Sequence, residues 1–240
     1  MKNLIVANWK MNPQTYSEAE DLINNVSKEI KKLKMVEVIF CPPFTWLTDF
    51  SHKNKLLVSF GAQNVYFEDK GAYTGEISSL MLKNSGVEYV IIGHSERRKY
   101  FGETDESVNK KIKKAVEVGL KVIFCIGETA EERDAGKKNE VLERQIKVGL
   151  GGVDNLKNIN IAYEPVWAIG TGNNCGVEET KESINFIKKL ILSGTRILYG
   201  GSVKSENSSA YIKEAGADGL LVGGASLNAE EFVKIVKSAE

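Results

Sequence analysis

The chain has 240 residues, of which 42% are hydrophobic and 27% are charged. These are ordinary values for a folded protein with a substantial core. Lysine and arginine number 32, as do aspartate and glutamate, so the formal net charge is +0. This balance argues against nucleic acid or an anionic membrane as a partner, because both favour a basic face.

The few cysteines and histidines argue against a bound metal. Cys41, Cys125 and Cys175 are widely spaced and the chain has 2 histidines, so no zinc ligand set is visible. We therefore expect no bound metal, and reduced thiols in the cytoplasm. The apolar run near the start is too short for a signal peptide, and no stretch approaches the length of a membrane span.

Short apolar runs alternate along the chain with longer amphipathic stretches. The runs are almost continuously apolar, which is typical of strands buried on both faces of a parallel sheet. They predict strands at residues 4–6, 36–40, 57–60, 89–92, 122–126, 159–163, 197–199 and 219–222. Apolar residues at helical spacing predict helices over about 16–33, 104–119, 179–192 and 229–240.

The alternation of strands and helices predicts an α/β fold. No linker rich in proline, glycine or serine interrupts the pattern, so we expect residues 1–240 to form one domain. Eight parallel strands with right-handed crossovers close naturally into a (β/α)8 barrel surrounded by helices. An open doubly wound sheet is the structural alternative. Both folds bind ligands at the carboxyl ends of their strands.

Polar residues and glycine pairs follow the predicted strands. Asn8 and Lys10 follow the first strand, Gln63 and Asn64 the third, His94 and Glu96 the fourth, Glu164 the sixth, Gly200-Gly201-Ser202 the seventh, and Gly223-Gly224 the eighth. Each feature alone is usually structural, since such turns are common. Their convergence on one rim of a barrel favours a functional site.

The ends of the seventh and eighth strands have the pattern of a phosphate site. Barrels often bind phosphate through these two loops and the N-terminus of a short helix. Glycine lets backbone N–H groups approach phosphate oxygens closely, and a helix N-terminus adds positive partial charge. The two glycine pairs therefore indicate a phosphate group in the ligand.

Longer motifs carry a resemblance to a known family. They are ANWKMN at 7–12, GHSERRKYFGE at 93–103, AYEPVWAIGTG at 162–172, YGGSV at 199–203 and LVGGASL at 221–227. In this order, over nearly the whole chain, they closely resemble triosephosphate isomerases. The resemblance implies a TIM barrel that interconverts dihydroxyacetone phosphate and D-glyceraldehyde 3-phosphate in glycolysis and gluconeogenesis, without a cofactor.

The resemblance also implies a role for each site residue. Glu164 would be the general base and His94 the electrophile. Asn8 and Lys10 would contact the substrate, and Glu96 would support the site. The residues that bind the phosphate would be Gly170, Ser202, Gly223 and Gly224.

A lid would follow the base in such an enzyme. It would consist of Pro165, Val166, Trp167, Ala168, Ile169, Gly170, Thr171, Gly172, Asn173, Asn174, Cys175 and Gly176. Its trailing hinge, Asn173-Asn174-Cys175, departs from the Lys-Thr-Ala that is frequent in the family. The stretch between Leu190 and Thr195 is also shorter than is usual there.

A homodimer is expected from both the resemblance and the loop after the third strand. This connection, residues 63–78, is long and carries Val65, Tyr66, Phe67, Tyr73 and Ile77. Exposed aromatic residues clustered on a loop usually mark a partner surface, and the alternative is that the loop folds back onto its own barrel. In triosephosphate isomerases the matching loop enters a pocket of the other subunit near its lysine and histidine. The interface residues would be Gln63, Asn64, Tyr73, Thr74, Glu76 and Arg97.

Two other functions stay open at this stage. A Schiff-base aldolase would use Lys10 as its nucleophile, although such enzymes commonly carry a buried lysine on the sixth strand, where this chain has Glu164. A phosphate-binding scaffold without catalysis is the second alternative. The joint presence of Lys10, His94 and Glu164 argues against it.

Overall fold

The computed structural model of the chain describes residues 1–52, 58–169 and 174–240. Within these residues, parallel strands form a closed barrel in the order β1 to β8, and β8 pairs with β1. The strands are β1 Asn3–Asn8, β2 Val36–Cys41, β3 Ser59–Ala62, β4 Tyr89–Ile92, β5 Lys121–Ile126, β6 Ile159–Tyr163, β7 Ile197–Tyr199 and β8 Gly219–Val222. The predicted (β/α)8 barrel is confirmed, and the closed sheet excludes the open doubly wound alternative.

Most strand bounds agree with the apolar runs to within two residues. The third strand differs most, because it was predicted at 57–60 and is observed at Ser59–Ala62, while Leu57 lies outside the described residues. Gly61 and Ala62 have low strand propensity, so the sequence pattern does not mark them. They are strand residues because they pair with the start of β4.

Helices surround the barrel and connect its strands. In the described part of the chain they are α1 Tyr16–Ile30, α2 Phe44–His52, α3 Ser79–Asn84, α4 Ser95–Phe101, α5 Asp105–Glu117, α6 Ala130–Asp134, α7 Lys138–Gly149, α8 Val177–Leu190, α9 Ser205–Lys213 and α10 Ala229–Ser238. None of these helices combines the length and the apolar character needed to cross a membrane.

Several helices begin where the sequence provides a side-chain cap. Thr15 accepts a hydrogen bond from the N–H of Glu18, whose carboxylate in turn accepts from the Thr15 N–H. Thr104 and Ser107 form the same reciprocal pair at the start of α5. Such caps satisfy N–H groups that have no partner within the helix, and each typically stabilises the protein by about 1 kcal/mol.

The core has two layers. Alternate strand residues, such as Leu4 and Val6, form one buried cluster inside the barrel. The residues between them, such as Ile5 and Ala7, belong to a larger cluster that packs against the helices. Both faces of each strand are therefore buried, which explains why the predicted strands are continuously apolar.

A polar network closes the amino end of the barrel. It consists of Glu37, Tyr89, Lys121, Asn160 and Arg196, and we call it the amino-end network. Arg196 donates from Nη1 to Glu37 Oε2 at 2.7 Å and from Nε to Asn160 Oδ1 at 2.8 Å. Tyr89 donates to the other oxygen of Glu37 and accepts from Lys121 Nζ at 3.2 Å. The network therefore satisfies most of its own polar groups.

Candidate active site

A cavity of about 520 Å³ opens at the carboxyl ends of the strands. Its walls come from loops that are far apart in sequence, and most predicted site residues lie in it. Among the residues that line it are Asn8, Lys10, His94, Glu164, Gly200, Gly201, Ser202, Gly223 and Gly224. The structure thus brings the base, the imidazole, the lysine and both glycine pairs into one site.

Glu164 lies directly after β6 and is only 2% exposed. Its Oε2 accepts a hydrogen bond from the backbone N–H of Ser95 at 2.9 Å. Ser95 is the first residue of α4, so this N–H has no partner within the helix and adds positive partial charge. Burial and this hydrogen bond hold the carboxylate in a fixed orientation at the cavity wall.

His94 presents a ring N–H to Glu164. The Nδ1 atom of His94 accepts a hydrogen bond from the backbone N–H of Glu96 at 3.2 Å. Because Nδ1 is an acceptor, we assign the ring proton to Nε2 of a neutral imidazole. Nε2 lies 3.1 Å from Glu164 Oε1. The imidazole is therefore placed as a hydrogen-bond donor at the cavity wall.

Lys10 has a backbone conformation that is unusual for a residue with a side chain, since its φ is 54°. Neighbours hold the peptide groups on both sides of it. Its N–H donates to Asn8 Oδ1 at 3.2 Å, and its carbonyl accepts from Gln63 Nε2 at 2.8 Å. Strained backbone of this kind persists only where the surroundings enforce it, and it is frequent at functional sites.

The Lys10 ammonium lies between a carboxylate and the phosphate end of the cavity. Its Nζ donates to Glu96 Oε1 at 2.5 Å. On the other side, a Cβ built on Gly223 would lie 3.7 Å from Nζ. Glu96 does not line the main cavity, so its predicted supporting role would act through Lys10.

The two glycine-rich loops both line the cavity, at the end where the sequence predicts phosphate binding. Gly223 precedes a short 3-10 helix, Gly224–Leu227, whose first N–H groups have no partner within that helix. A Cβ at Gly200 would lie 3.0 Å from Cγ of Glu164, so a side chain there would press against the proposed base. Phosphate binding by Ser202, Gly223 and Gly224 stays a prediction.

The start of the predicted lid is held by hydrogen bonds. Val166–Ala168 form a 3-10 turn, and Trp167 donates from Nε1 to Glu128 Oε1 at 2.8 Å. Ser202 donates from Oγ to the carbonyl of Ala168 at 2.6 Å. Burial raises the pKa of Glu128, despite the hydrogen bonds from Trp167 and Tyr163. Of the remaining predicted lid residues, Gly170, Thr171, Gly172 and Asn173 lie outside the described residues.

Some residues of the site were missed by sequence reasoning. Lys204 lines the cavity near Ser202, in addition to the predicted Lys10. Its position just after the YGGSV motif was the available signal. Glu231 also lines the cavity, and it accepts from the Ser205 N–H at 2.7 Å, which lowers the pKa of its carboxyl. It belongs to α10, and no motif links it to the site.

The described residues show no group of three or more His, Cys, Asp or Glu side chains that could hold a metal ion. The three cysteines are free and buried. Burial raises the pKa of the Cys175 thiol to about 11, and that of Cys125 is raised by burial and by the charge of Glu164. These thiols are therefore protonated at neutral pH and unsuited to act as nucleophiles.

The fold and the site define a class of protein. The site combines a buried carboxylate beside an imidazole with a lysine next to two glycine-rich loops. This combination is typical of a barrel enzyme that transfers a proton on a small anionic substrate. The Lys10 ammonium is paired with Glu96, and β6 is followed by Glu164 and not by a lysine. The site therefore does not favour a Schiff-base aldolase.

Comparison with known proteins identifies the family. The family model for triosephosphate isomerase matches residues 3–239. A triosephosphate isomerase of Alkaliphilus oremlandii is 49% identical, over 98% of this chain and 98% of that protein. Those of Aquifex aeolicus and Trichodesmium erythraeum are each 48% identical, over 99% and 98% of this chain and 100% and 98% of the respective protein. The chain belongs to the triosephosphate isomerase family, as its motifs predicted.

Proposed function

We propose that this chain interconverts dihydroxyacetone phosphate and D-glyceraldehyde 3-phosphate through an enediolate, with Glu164 as the base. The observation that carries the proposal is the joint placement of Glu164, His94 and the two glycine-rich loops in one cavity of about 520 Å³. The loops would bind the phosphate, and this would place the two reacting carbons beside the carboxylate and the imidazole.

Each group would contribute to a different part of the barrier. The proton next to a carbonyl is only weakly acidic, so most of the barrier lies in forming the enediolate. Fixing the substrate under a carboxylate contributes up to roughly 7–11 kcal/mol, and general-base catalysis about 10²–10⁴ in rate. A single donor to the developing oxyanion typically contributes about 3–4 kcal/mol.

His94 is the best placed of the oxyanion donors. Its neutral imidazole would donate from Nε2. A neutral imidazole is known to serve as the electrophile in triosephosphate isomerases. Lys10 would attract both the phosphate and the developing charge. Asn8 uses its Oδ1 to hold the Lys10 N–H, and its amide N–H groups would donate to the substrate.

Heavy-water exchange tests the proposal directly. Dihydroxyacetone phosphate is incubated with the protein in heavy water, and its carbon-bound protons are followed by NMR. We expect deuterium at the carbon that loses its proton, together with the aldose product. If the aldose forms without any deuterium uptake, the proton is not carried by a base that exchanges with solvent. If there is no turnover at all, the protein is a scaffold. Loss of activity after borohydride treatment with substrate would indicate the aldolase.

We further propose that the protein is a homodimer. Residues 70–76, which include Tyr73, Thr74 and Glu76, are all exposed on the described chain. A second cavity of about 310 Å³ lies beside Lys10 and His94 and is partly lined by exposed apolar side chains, of which Met11 is 85% and Phe101 is 69% exposed. Apolar surface next to a polar site is typical of a partner interface.

The remaining interface predictions have partners within the chain. Val65, expected in the exposed loop, is fully buried in the chain's own core. Asn64 is also buried and accepts from Lys111 Nζ at 2.8 Å, while Arg97 donates from Nε to Glu103 at 3.3 Å. Gln63 donates to Lys10, as described above. In a dimer these residues would hold the rim of the second cavity in shape, and the loop of the other copy would enter it.

Dilution tests the dimer. Specific activity is expected to fall along the same curve as the dimer fraction measured by sedimentation. Thr74→Arg, at the tip of the exposed loop, is expected to give weakly active monomers. Ser193→Arg, at an exposed position between α8 and β7, is the matched control and should stay dimeric. A monodisperse monomer with full activity at nanomolar concentration would rule out the dimer.

A cytoplasmic location completes the proposal. All three cysteines are free and buried, which fits a compartment that keeps thiols reduced. Fractionation of the source cells with an activity assay would test it, and enrichment outside the cytoplasm would contradict it.

A further inference from the structure

Tyr211 on α9 contacts residues that directly adjoin two of the segments that line the cavity. Its side chain is almost completely buried, with 2% exposure. Its hydroxyl donates to the backbone carbonyl of Cys175 at 2.8 Å. Cys175 directly follows Asn174, which lines the cavity. The hydroxyl therefore anchors the segment that carries one wall of the site.

The ring of Tyr211 contacts the residue that precedes a second lining segment. It stacks on the ring of Tyr199, with centroids 3.9 Å apart and an interplanar angle of 21°. Tyr199 immediately precedes the loop Gly200-Gly201-Ser202. A Cβ placed on Gly201 would lie 2.3 Å from the Tyr199 hydroxyl, so this hydroxyl lies directly against the loop backbone. A shift of the Tyr211 ring would thus be transmitted to the loop.

We infer that Tyr211 is a positioning residue, which sets the distance between Asn174 and the glycine-rich loop after β7 and thereby the affinity for the substrate phosphate. It touches no substrate itself. The inference rests on the phosphate-binding role proposed above for that loop. It assigns to Tyr211 a function that no motif of the sequence indicated, since Tyr211 lies within α9, away from the strand ends.

Tyr211→Phe tests the inference because it keeps the ring stack and removes only the hydroxyl. The Cys175 carbonyl would lose its buried donor. We expect the KM for dihydroxyacetone phosphate and the inhibition constant of inorganic phosphate to rise together by about threefold to tenfold, the range given by one ordinary hydrogen bond. The kcat is expected to change by less than about twofold, because the reacting groups are untouched.

Tyr89→Phe is the matched control, since Tyr89 is also buried and hydrogen-bonded but belongs to the amino-end network. It is expected to lower the melting temperature without altering KM or phosphate inhibition. If Tyr211→Phe lowers the melting temperature but leaves both constants unchanged, Tyr211 is only structural and the inference fails. If inorganic phosphate does not compete with substrate in the unaltered protein, the proposed phosphate site fails and the inference falls with it.

Discussion

Both ends of the barrel hold buried polar and charged groups, but the two ends satisfy them differently. At the amino end, Arg196, Glu37 and Tyr89 bond to one another and to neighbours within the amino-end network. At the carboxyl end, Glu164 and His94 are paired as well, yet both line an open cavity. One end uses its charges to complete the fold, and the other leaves them accessible to a ligand.

The same strands serve both ends. β4 begins with Tyr89 of the amino-end network and is followed by His94 of the active site. β6 carries Asn160 near its start and is followed by Glu164. Each of these strands thus connects a residue of the amino-end network to a residue that we propose takes part in catalysis. The comparison therefore predicts that substitutions at one end change stability and those at the other change activity.

The largest effect is expected for Glu164→Asp at the carboxyl end. The shorter side chain withdraws the carboxylate by about 1 Å, and such a displacement can lower the rate by about 10². We expect kcat to fall by about that factor or more, with little change in KM, in steady-state assays. Glu37→Asp makes the same change at the amino end and should keep kcat within about twofold. An unchanged kcat for Glu164→Asp would remove Glu164 from the role of base.

Lys10→Met is expected to have the next largest effect. Hydrogen bonds to charged groups contribute about 1.5–3 kcal/mol, so the KM should rise about 10- to 100-fold and kcat should fall too. Methionine has a Cβ like lysine, so the backbone strain and the folding should be unchanged. Lys204→Met is the comparison, because Lys204 is exposed at the rim of the same cavity. Its effect should stay below about threefold and vanish at high salt.

If phosphate analogues bind the Lys10→Met variant as tightly as the unaltered protein, Lys10 does not contribute to binding. A larger effect for Lys204→Met than for Lys10→Met would reverse the assignment of the two cations. Inhibition constants measured for inorganic phosphate at two salt concentrations distinguish these outcomes.

Arg196→Met, at the amino end, should lower stability and leave activity unchanged. The Arg196 side chain is 13% exposed, and its removal leaves Glu37 without its cationic partner. Breaking a buried ion pair is strongly destabilising, but Glu37 is 27% exposed, so solvent offsets part of the loss. We expect the free energy of unfolding to fall by about 2 kcal/mol in urea titrations at fixed protein concentration, with kcat unchanged. A variant with native stability and reduced kcat would contradict the division between the two ends.

The smallest effect concerns the pH dependence of stability. Burial alone would raise the pKa of Glu37, but hydrogen bonds from Arg196 and Tyr89 outweigh it and lower that pKa. Its stabilisation is therefore fully present above the unfolded carboxyl pKa of about 4.3, and is lost as pH falls through the lower folded value. Glu37→Gln should make the unfolding free energy fall less steeply below about pH 5. Glu29→Gln, which alters an exposed pair with Lys237, should leave the slope unchanged.

The sequence predicted the functional residues at the carboxyl end of the barrel, but not the polar network at its amino end. Glu164, His94, Lys10 and the glycine pairs were found because each follows an apolar run, and the strand ends of a parallel barrel meet at one rim. The amino-end network was not found. A glutamate or arginine at the start of a strand looks like ordinary solvent-exposed sequence, and only closure of the barrel brings Glu37 next to Arg196.

Tyr211 and Glu231 also could not be found from the sequence. Both reach the site from outer helices, and their positions depend on how those helices pack against the strands. Nothing in the sequence around Tyr211 indicates that its hydroxyl meets the carbonyl of Cys175. Lys204 could have been recognised from its place beside the YGGSV motif, whereas Glu231 had no such signal.

The left-handed backbone of Lys10, with a φ of 54°, has a consequence for how this position can vary. A residue with a Cβ loses about 1–2 kcal/mol in that conformation, and glycine loses none. Glycine also has more conformational freedom in the unfolded chain, at a cost of about 0.5–1 kcal/mol. Folding alone would therefore tolerate, or even favour, Lys10→Gly. Selection for folding alone would therefore not maintain a lysine at this position.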